Sequence, residues 1–338
     1  MKIALLSPIV WRTPPLKYGP WEQVASNIAE GLVAQGIDVT LYATANSTTK
    51  GTLEFVSETA YGEDKTLDPK VWEALHISHL MENAHKYDII HNHYDFLPLT
   101  FSKLISTPMV TTIHGFSSEK IVSVYKKYNT HTNYVSISNS NRHKELDYIA
   151  TVYNGIDGDC FDFKEQADDY LLFFGRIHPD KGTYDAIEIA KQLNKRLIIA
   201  GLIQDEKYFE KKIKPHIDGC QIIYVGNADS KQRNTLLGGA EALLHPIHFD
   251  EPFGLSVVES MFCGAPVIAY NRGAMSELIE NGVNGYLVNN IDEAVHSYHK
   301  IKEIDRKKCE IAARNKFSKE TMSKEYINVY KNILQAKK

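Results

Sequence analysis

The sequence predicts an α/β protein built from two doubly wound, Rossmann-like domains. Three observations lead there. Short apolar runs suited to strands alternate with amphipathic helical stretches along most of the chain. A complete βαβ unit is legible within residues 2–43, which makes the first sheet parallel. The 338 residues suffice for two domains that each bury a core.

The elements follow in order. Lys2 to Ser7 is an apolar run suited to a strand buried on both faces. Glu22 to Gln35 places Val24, Ile28 and Leu32 on one helical face, and Gly36 supplies the stop. Val39, Leu41 and Ala43 then alternate as a strand. Asp88 to His91 and Met109 to Ile113 read as strands that end in polar residues, where open α/β sheets gather their active-site groups. Asn154 to Asp169 is rich in Gly and Asp and reads as a linker. Beyond it, Tyr170–Phe174, Arg196–Ala200, Gln221–Val225, Ala242–His245 and Pro266–Ala269 read as strands. Tyr184–Leu193, Asp205–Ile217, Ser230–Gly238 and Leu255–Cys263 read as the helices between them. Ser318 to Leu334 is a further helix with Met322, Tyr326, Val329 and Ile333 on one side.

Composition narrows the class. A net charge of −4 implies no nucleic-acid partner. From Lys300 to Lys338 there are 12 Lys+Arg against 5 Asp+Glu, read as a solvated helix face, with weak peripheral membrane contact the lesser alternative. Cys160, Cys220, Cys263 and Cys309 lack metal or redox spacing and suit a reducing compartment. The N-terminal apolar run is too short for a signal peptide, and no run approaches the ~20 residues of a membrane span. A cytoplasmic enzyme is expected.

The most informative segment is Glu251-Pro-Phe-Gly-Leu-Ser-Val-Val-Glu259, with two acids eight positions apart. It follows a strand and opens a helix, so backbone amides and the positive dipole end can hold an anion. Gly254 permits close approach of a ligand. Glu251 stands before the helix and Glu259 about one turn beyond Leu255. Two carboxylates beside an anion-binding helix end suit a ligand with both hydroxyls and phosphates, such as a nucleotide sugar. Taken singly, Glu251 reads rather as a dipole partner before a helix and Glu259 as a solvated helix position; the whole arrangement carries the site reading.

This segment resembles the E-x7-E motif of retaining glycosyltransferases of the GT-B fold, in particular family 4. Further segments resemble that family in order along the chain: Tyr18-Gly19-Pro20-Trp21-Glu22, His91-Asn92-His93, Thr112-Ile113-His114-Gly115, Asn154-Gly155-Ile156-Asp157, and Phe174-Gly175-Arg176 with Lys181-Gly182. The resemblance implies two Rossmann-like domains facing a cleft. Residues 1–155, joined by a C-terminal helix at 318–338, would form the acceptor side, and residues 156–317 the donor side. Glu251 would grip the transferred sugar and Glu259 the donor ribose. Gly19 would reach the diphosphate, although Pro20 stands where the family often has a second Gly, which predicts fewer backbone contacts. Phe253, Gly254 and Leu255 would offer amides to the phosphates. Gly226 and Asn227 would frame the base. His114 would face the sugar, with a structural strand-end His as the alternative. Tyr94 would touch the acceptor or belong to the core. Trp11 and Trp21 suit sugar packing or ordinary core alike.

The leaving diphosphate needs a counter-charge. Asp157-Gly158-Asp159 reads as a turn, not a metal site, whereas Arg176 and Lys181 supply two fixed cations. No metal and no other cofactor is therefore expected. The implied reaction is retaining, metal-independent hexosyl transfer from a nucleotide-diphosphate sugar to a sugar, lipid-linked sugar or small alcohol. A sugar-nucleotide epimerase of the same architecture is the alternative, and a carbohydrate-binding subunit a distant third. A nicotinamide dehydrogenase is disfavoured because the first loop lacks G-x-G-x-x-G.

Overall fold

A computed structural model describes residues 1–116 and 118–336. The chain divides into two compact units, Met1–Gly155 with Lys319–Lys338, and Ile156–Ser318.

In the first unit, strands β1 (Lys2–Leu6), β2 (Asp38–Ala43), β3 (Thr52–Phe55), β4 (Ile89–Asn92), β5 (Met109–Ile113), β6 (Asn133–Ser136) and β7 (Tyr148–Thr151) form one sheet in the order β3-β2-β1-β4-β5-β6-β7. Every pairing is parallel. Helices α1 (Pro20–Ala34), α2 (Pro69–Glu82) and α3 (Val122–Tyr128) connect the strands. The apolar run at the N-terminus becomes β1 because both sheet faces are covered, and Ile3 to Leu6 are fully buried.

The second unit holds β8 (Leu171–Phe174), α4 (Thr183–Gln192), β9 (Leu197–Ala200), α5 (Glu206–Tyr208), β10 (Ile222–Tyr224), α6 (Ser230–Gly239), β11 (Ala242–His245), α7 (Leu255–Phe262), β12 (Val267–Tyr270), α8 (Met275–Leu278), β13 (Gly285–Val288), α9 (Ile291–Ile301) and α10 (Arg306–Phe317). Its sheet runs β10-β9-β8-β11-β12-β13, again parallel throughout. Helix α11 (Lys319–Ala336) then returns to the first unit and packs on α1.

Polar groups as well as an apolar face dock α11. Met322, Ser323, Tyr326, Val329, Tyr330 and Ile333 are its buried residues. The Tyr330 hydroxyl lies 2.6 Å from His91 Nδ1, His91 Nε2 lies 2.8 Å from Thr112 Oγ1, and Thr112 Oγ1 lies 2.7 Å from the Tyr326 hydroxyl. His91 on β4 and Thr112 on β5 thus pair with each other and with the two helix hydroxyls, as buried polar groups require.

Two expectations are corrected. The chain does pass between the units inside the segment read as a linker, at Gly155–Ile156, but residues from Ile156 onward already belong to the second unit. The Gly155 carbonyl accepts a bond from Asn27 of the first unit, and the next residue, Ile156, donates to Phe317 of the second. Phe161 is buried within the second unit. The Gly and Asp content there reflects turns, with Asp157 capping the turn at Gly158–Cys160. The helix expected over 205–217 is broken into α5, a π turn at Phe209–Ile213 and a 3₁₀ turn at Lys214–His216. Pro215 has no N–H to continue an α ladder.

Replacing Tyr330 with Phe should leave His91 Nδ1 buried and unpaired. We expect a loss of about 1–3 kcal/mol, read as a lower urea midpoint for the first unit with an unchanged slope.

Candidate active site

In each sheet the strand order reverses beside the first strand of its unit, between β1 and β4 and between β8 and β11. Ligands of open α/β sheets bind outside the carboxyl ends of such strands. In the second unit, Arg176 and Lys181 follow β8, and Glu251 follows β11.

The two loops are clasped together. Gly182 has φ of 70°, and a Cβ there would stand 1.8 Å from the Pro246 carbonyl oxygen, so no other residue permits this approach. The His248 N–H donates to the Asp180 carbonyl at 2.7 Å. This clasp delivers Lys181 Nζ to 2.5 Å from Glu251 Oε2, with the ammonium 4.6 Å from the Phe249 ring centroid. His245 Nε2, from the end of β11, lies 3.6 Å from the same oxygen. Burial pushes the Glu251 carboxyl up, but His245 and the Lys181 ammonium pull harder and leave it at about 2. Burial keeps His245 below its ordinary range and therefore neutral. Arg176 does not join Lys181. It donates to Gln204 Oε1 and lies 3.9 Å from Asp180.

Beyond Glu251 the chain turns through Gly254, whose φ of 100° ends the loop and starts α7 without a side-chain cap. A Cβ there would press to 2.7 Å from Met275 Cε. Leu255 is the first residue of α7. Phe253 faces inward, edge-on to Phe317 at 5.9 Å, so its side chain packs the core while its backbone shapes the loop. Glu259 lies deeper in α7 and is buried, which pushes its carboxyl up. Arg233 of α6 opposes that shift from 3.1 Å. Gly226 and Asn227 follow edge strand β10, two strands from β8, and are not brought into the Glu251 cluster.

In the first unit, Gly19 caps α1 and Pro20 takes its first position. An amide at that position has no helical partner, so Pro20 removes nothing the helix itself needs. Trp21 stacks on His114 with centroids 5.5 Å apart. His114 Nε2 in turn meets His93 Nδ1 at 2.9 Å. Burial lowers His91 and His114 to about 3 and His93 well below its ordinary value, so all three rings are neutral at physiological pH. Glu22 accepts the Trp11 N–H and is raised by burial to about 7. Tyr94 is 6% exposed within the core cluster of this unit. Of the two readings left open for Tyr94, acceptor contact or core, this burial favours the core. Sequence reasoning missed Arg233, His245 and Gln204, which reach the site from three separate elements and share no motif.

Two parallel Rossmann-like sheets, each with polar residues at its switch point, define the GT-B architecture. Residues 21–159 match the family model described as Glycosyltransferase Family 4, and residues 161–321 match that described as Glycosyl transferases group 1. The chain belongs to this family of GT-B glycosyltransferases. An uncharacterised glycosyltransferase of Methanocaldococcus jannaschii is 24% identical over 99% of both chains. Sucrose-phosphate synthase from Thermosynechococcus elongatus superposes with a TM-score of 0.79 at 17% identity, covering 99% of this chain and 100% of that one. Anabaena HepE, solved with UDP and glucose, gives 0.74 at 19% identity over 98% of this chain and 100% of that one. Among the described residues, no helix is long and apolar enough to cross a membrane.

Removing the Lys181 charge should let burial act on Glu251. In Lys181→Met the Glu251 carboxyl should titrate above its present value of about 2. Carboxyl ¹³C NMR across an acid titration measures this directly.

Proposed function

We propose that the protein transfers a hexosyl group from a nucleotide-diphosphate sugar to an acceptor hydroxyl, with retention of anomeric configuration and without a metal ion. One observation carries the reading. An ionised, nearly buried Glu251 is held by Lys181 at the mouth of a glycine-started helix, at the switch point of its sheet. A carboxylate so placed can accept hydroxyl hydrogen bonds from a sugar, while the ammonium and the helix amides address phosphate.

In the proposed reaction the bond between the anomeric carbon and the β-phosphate oxygen breaks. The acceptor oxygen bonds to the same face, and its proton passes to the departing phosphate. Arg176, Lys181 and the amides of 253–255 stabilise the charge that collects on the leaving group. Gly19 is assigned to the diphosphate, Gly226 and Asn227 to the base, and Glu259 to the ribose. His114 is assigned to the transferred sugar as a neutral ring. Asp157 caps its own turn, which favours the metal-free reading. HepE, with its bound UDP, makes uridine the first base to test.

A thermal-shift screen against UDP, GDP, ADP and their sugars tests the reading. One nucleotide should stabilise the protein by about 2.7 kcal/mol at ~100 Kd, and no response to any of them would overturn it. The anomeric signal of the product, followed by NMR from the first turnover, separates retention from inversion.

Two outcomes are expected beyond the screen. Arg176→Ala should weaken nucleotide-diphosphate binding by about 1.5–3 kcal/mol, measured by calorimetry on protein whose circular dichroism is unchanged. Turnover should persist in excess EDTA; activity lost to chelator and restored by Mn²⁺ would return Asp157 and Asp159 to consideration as ligands.

A further inference from the structure

Glu259 sits in an environment that discourages the charge its assigned role requires. It is 6% exposed, and burial raises its carboxyl. A ribose diol donates hydrogen bonds, so a carboxylate accepts them with all its lone pairs, whereas a protonated carboxyl gives up part of that capacity. Arg233 answers this conflict. Its Nη1 meets Glu259 Oε1 at 3.1 Å, and Oε2 has no protein hydrogen bond among the described residues. The guanidinium is held in turn by the Phe161 ring at 5.1 Å. Its backbone N–H donates to Asp229, the residue whose side chain closes the capping box of α6.

We propose that Arg233 is a positioning residue for the donor site: it keeps Glu259 as a carboxylate and turns it so that Oε2 faces the ribose hydroxyls of a nucleoside diphosphate. The proposal rests on the assignment of Glu259 to the ribose. A planar fork suits this task, because one N–H can be committed to one oxygen without rotating across both.

Other charged groups around α7 are already engaged. Cys263, the next titratable residue on the helix, is pushed up by burial to about 12 and stays neutral. Arg306 donates to the carbonyls of Lys164, Gly238 and Ala240. Arg314 bonds Glu310 and the carbonyls of Gly158 and Phe161. Asp162 is bonded to Asn234. None of these is bonded to Glu259, so loss of Arg233 leaves its carboxyl to the effect of burial.

The test is calorimetric titration of wild type, Arg233→Met, Arg233→Lys and Glu259→Gln with UDP, GDP and ADP in parallel. Each is run at about pH 6, 7 and 8.5, with circular dichroism confirming the fold. Relative to wild type, Arg233→Met should bind progressively more weakly as pH falls, by about tenfold across the range if the Glu259 carboxyl rises into it by one unit. Arg233→Lys, which restores the charge but not the fork, should remove the pH dependence while binding more weakly than wild type at every pH. Glu259→Gln should be weak at every pH. A loss in Arg233→Met that is equal at all three pH values, or no loss while Glu259→Gln binds weakly, overturns the proposal and leaves the ribose assignment standing. Normal affinity in Glu259→Gln removes both.

Discussion

The second unit's site depends on one close approach, the Gly182 backbone against the Pro246 carbonyl. Loops after neighbouring parallel strands have no intrinsic reason to touch. A side chain at 182 would hold them apart, and Lys181 would then extend into solvent as lysines usually do. With glycine there, the Asp180 carbonyl accepts the His248 N–H and the ammonium is carried onto Glu251. The pair is therefore a product of backbone geometry. A surface ion pair contributes little, but two partners that are each mostly buried and fixed by their loops set the protonation state of the site.

The two glutamates of the motif show how placement divides chemistry between like residues. Glu251 lies in a loop, meets a cation and a histidine, and is held as a strong acid. Glu259, eight residues on, projects from within a helix and is pushed the other way, with a single guanidinium in opposition. Their spacing in sequence conveys none of this. The difference comes from β8 and β11 on one side and α6 on the other.

Much of the architecture was legible because parallel strands buried on both faces are written as apolar runs. Ile3–Leu6 and Leu171–Phe173 are such runs. Strands β3, β6, β7 and β13 escaped notice: β3, β7 and β13 are half-buried in part and carry no such run, and β6, though buried, has the polar Asn133 and Ser136 at its ends. The linker was drawn too long because a single large residue, Phe161, packs that stretch while Gly and Asp form its turns. The motif residues Lys181, Glu251 and Gly254 could be placed at one site from sequence, since each follows a strand or starts a helix. Arg233 could not, because its partner lies on another helix and no spacing links them. Tyr94 stayed open between contact and core because a ring after a strand end looks alike whether it turns outward or inward.

The return of α11 to the first unit has a consequence for synthesis. Residues 156–318 form an unbroken stretch, so the second unit holds all its own contacts once that stretch has left the ribosome. The first unit is made earlier yet lacks its closing helix. Until residue 330 emerges, His91 on β4 has no tyrosine to meet and the sheet face that α11 covers is bare. Domains made first generally fold first. Here the order is reversed for completion: the unit translated first is finished last, and its exposed interval is the time when a chaperone would find it.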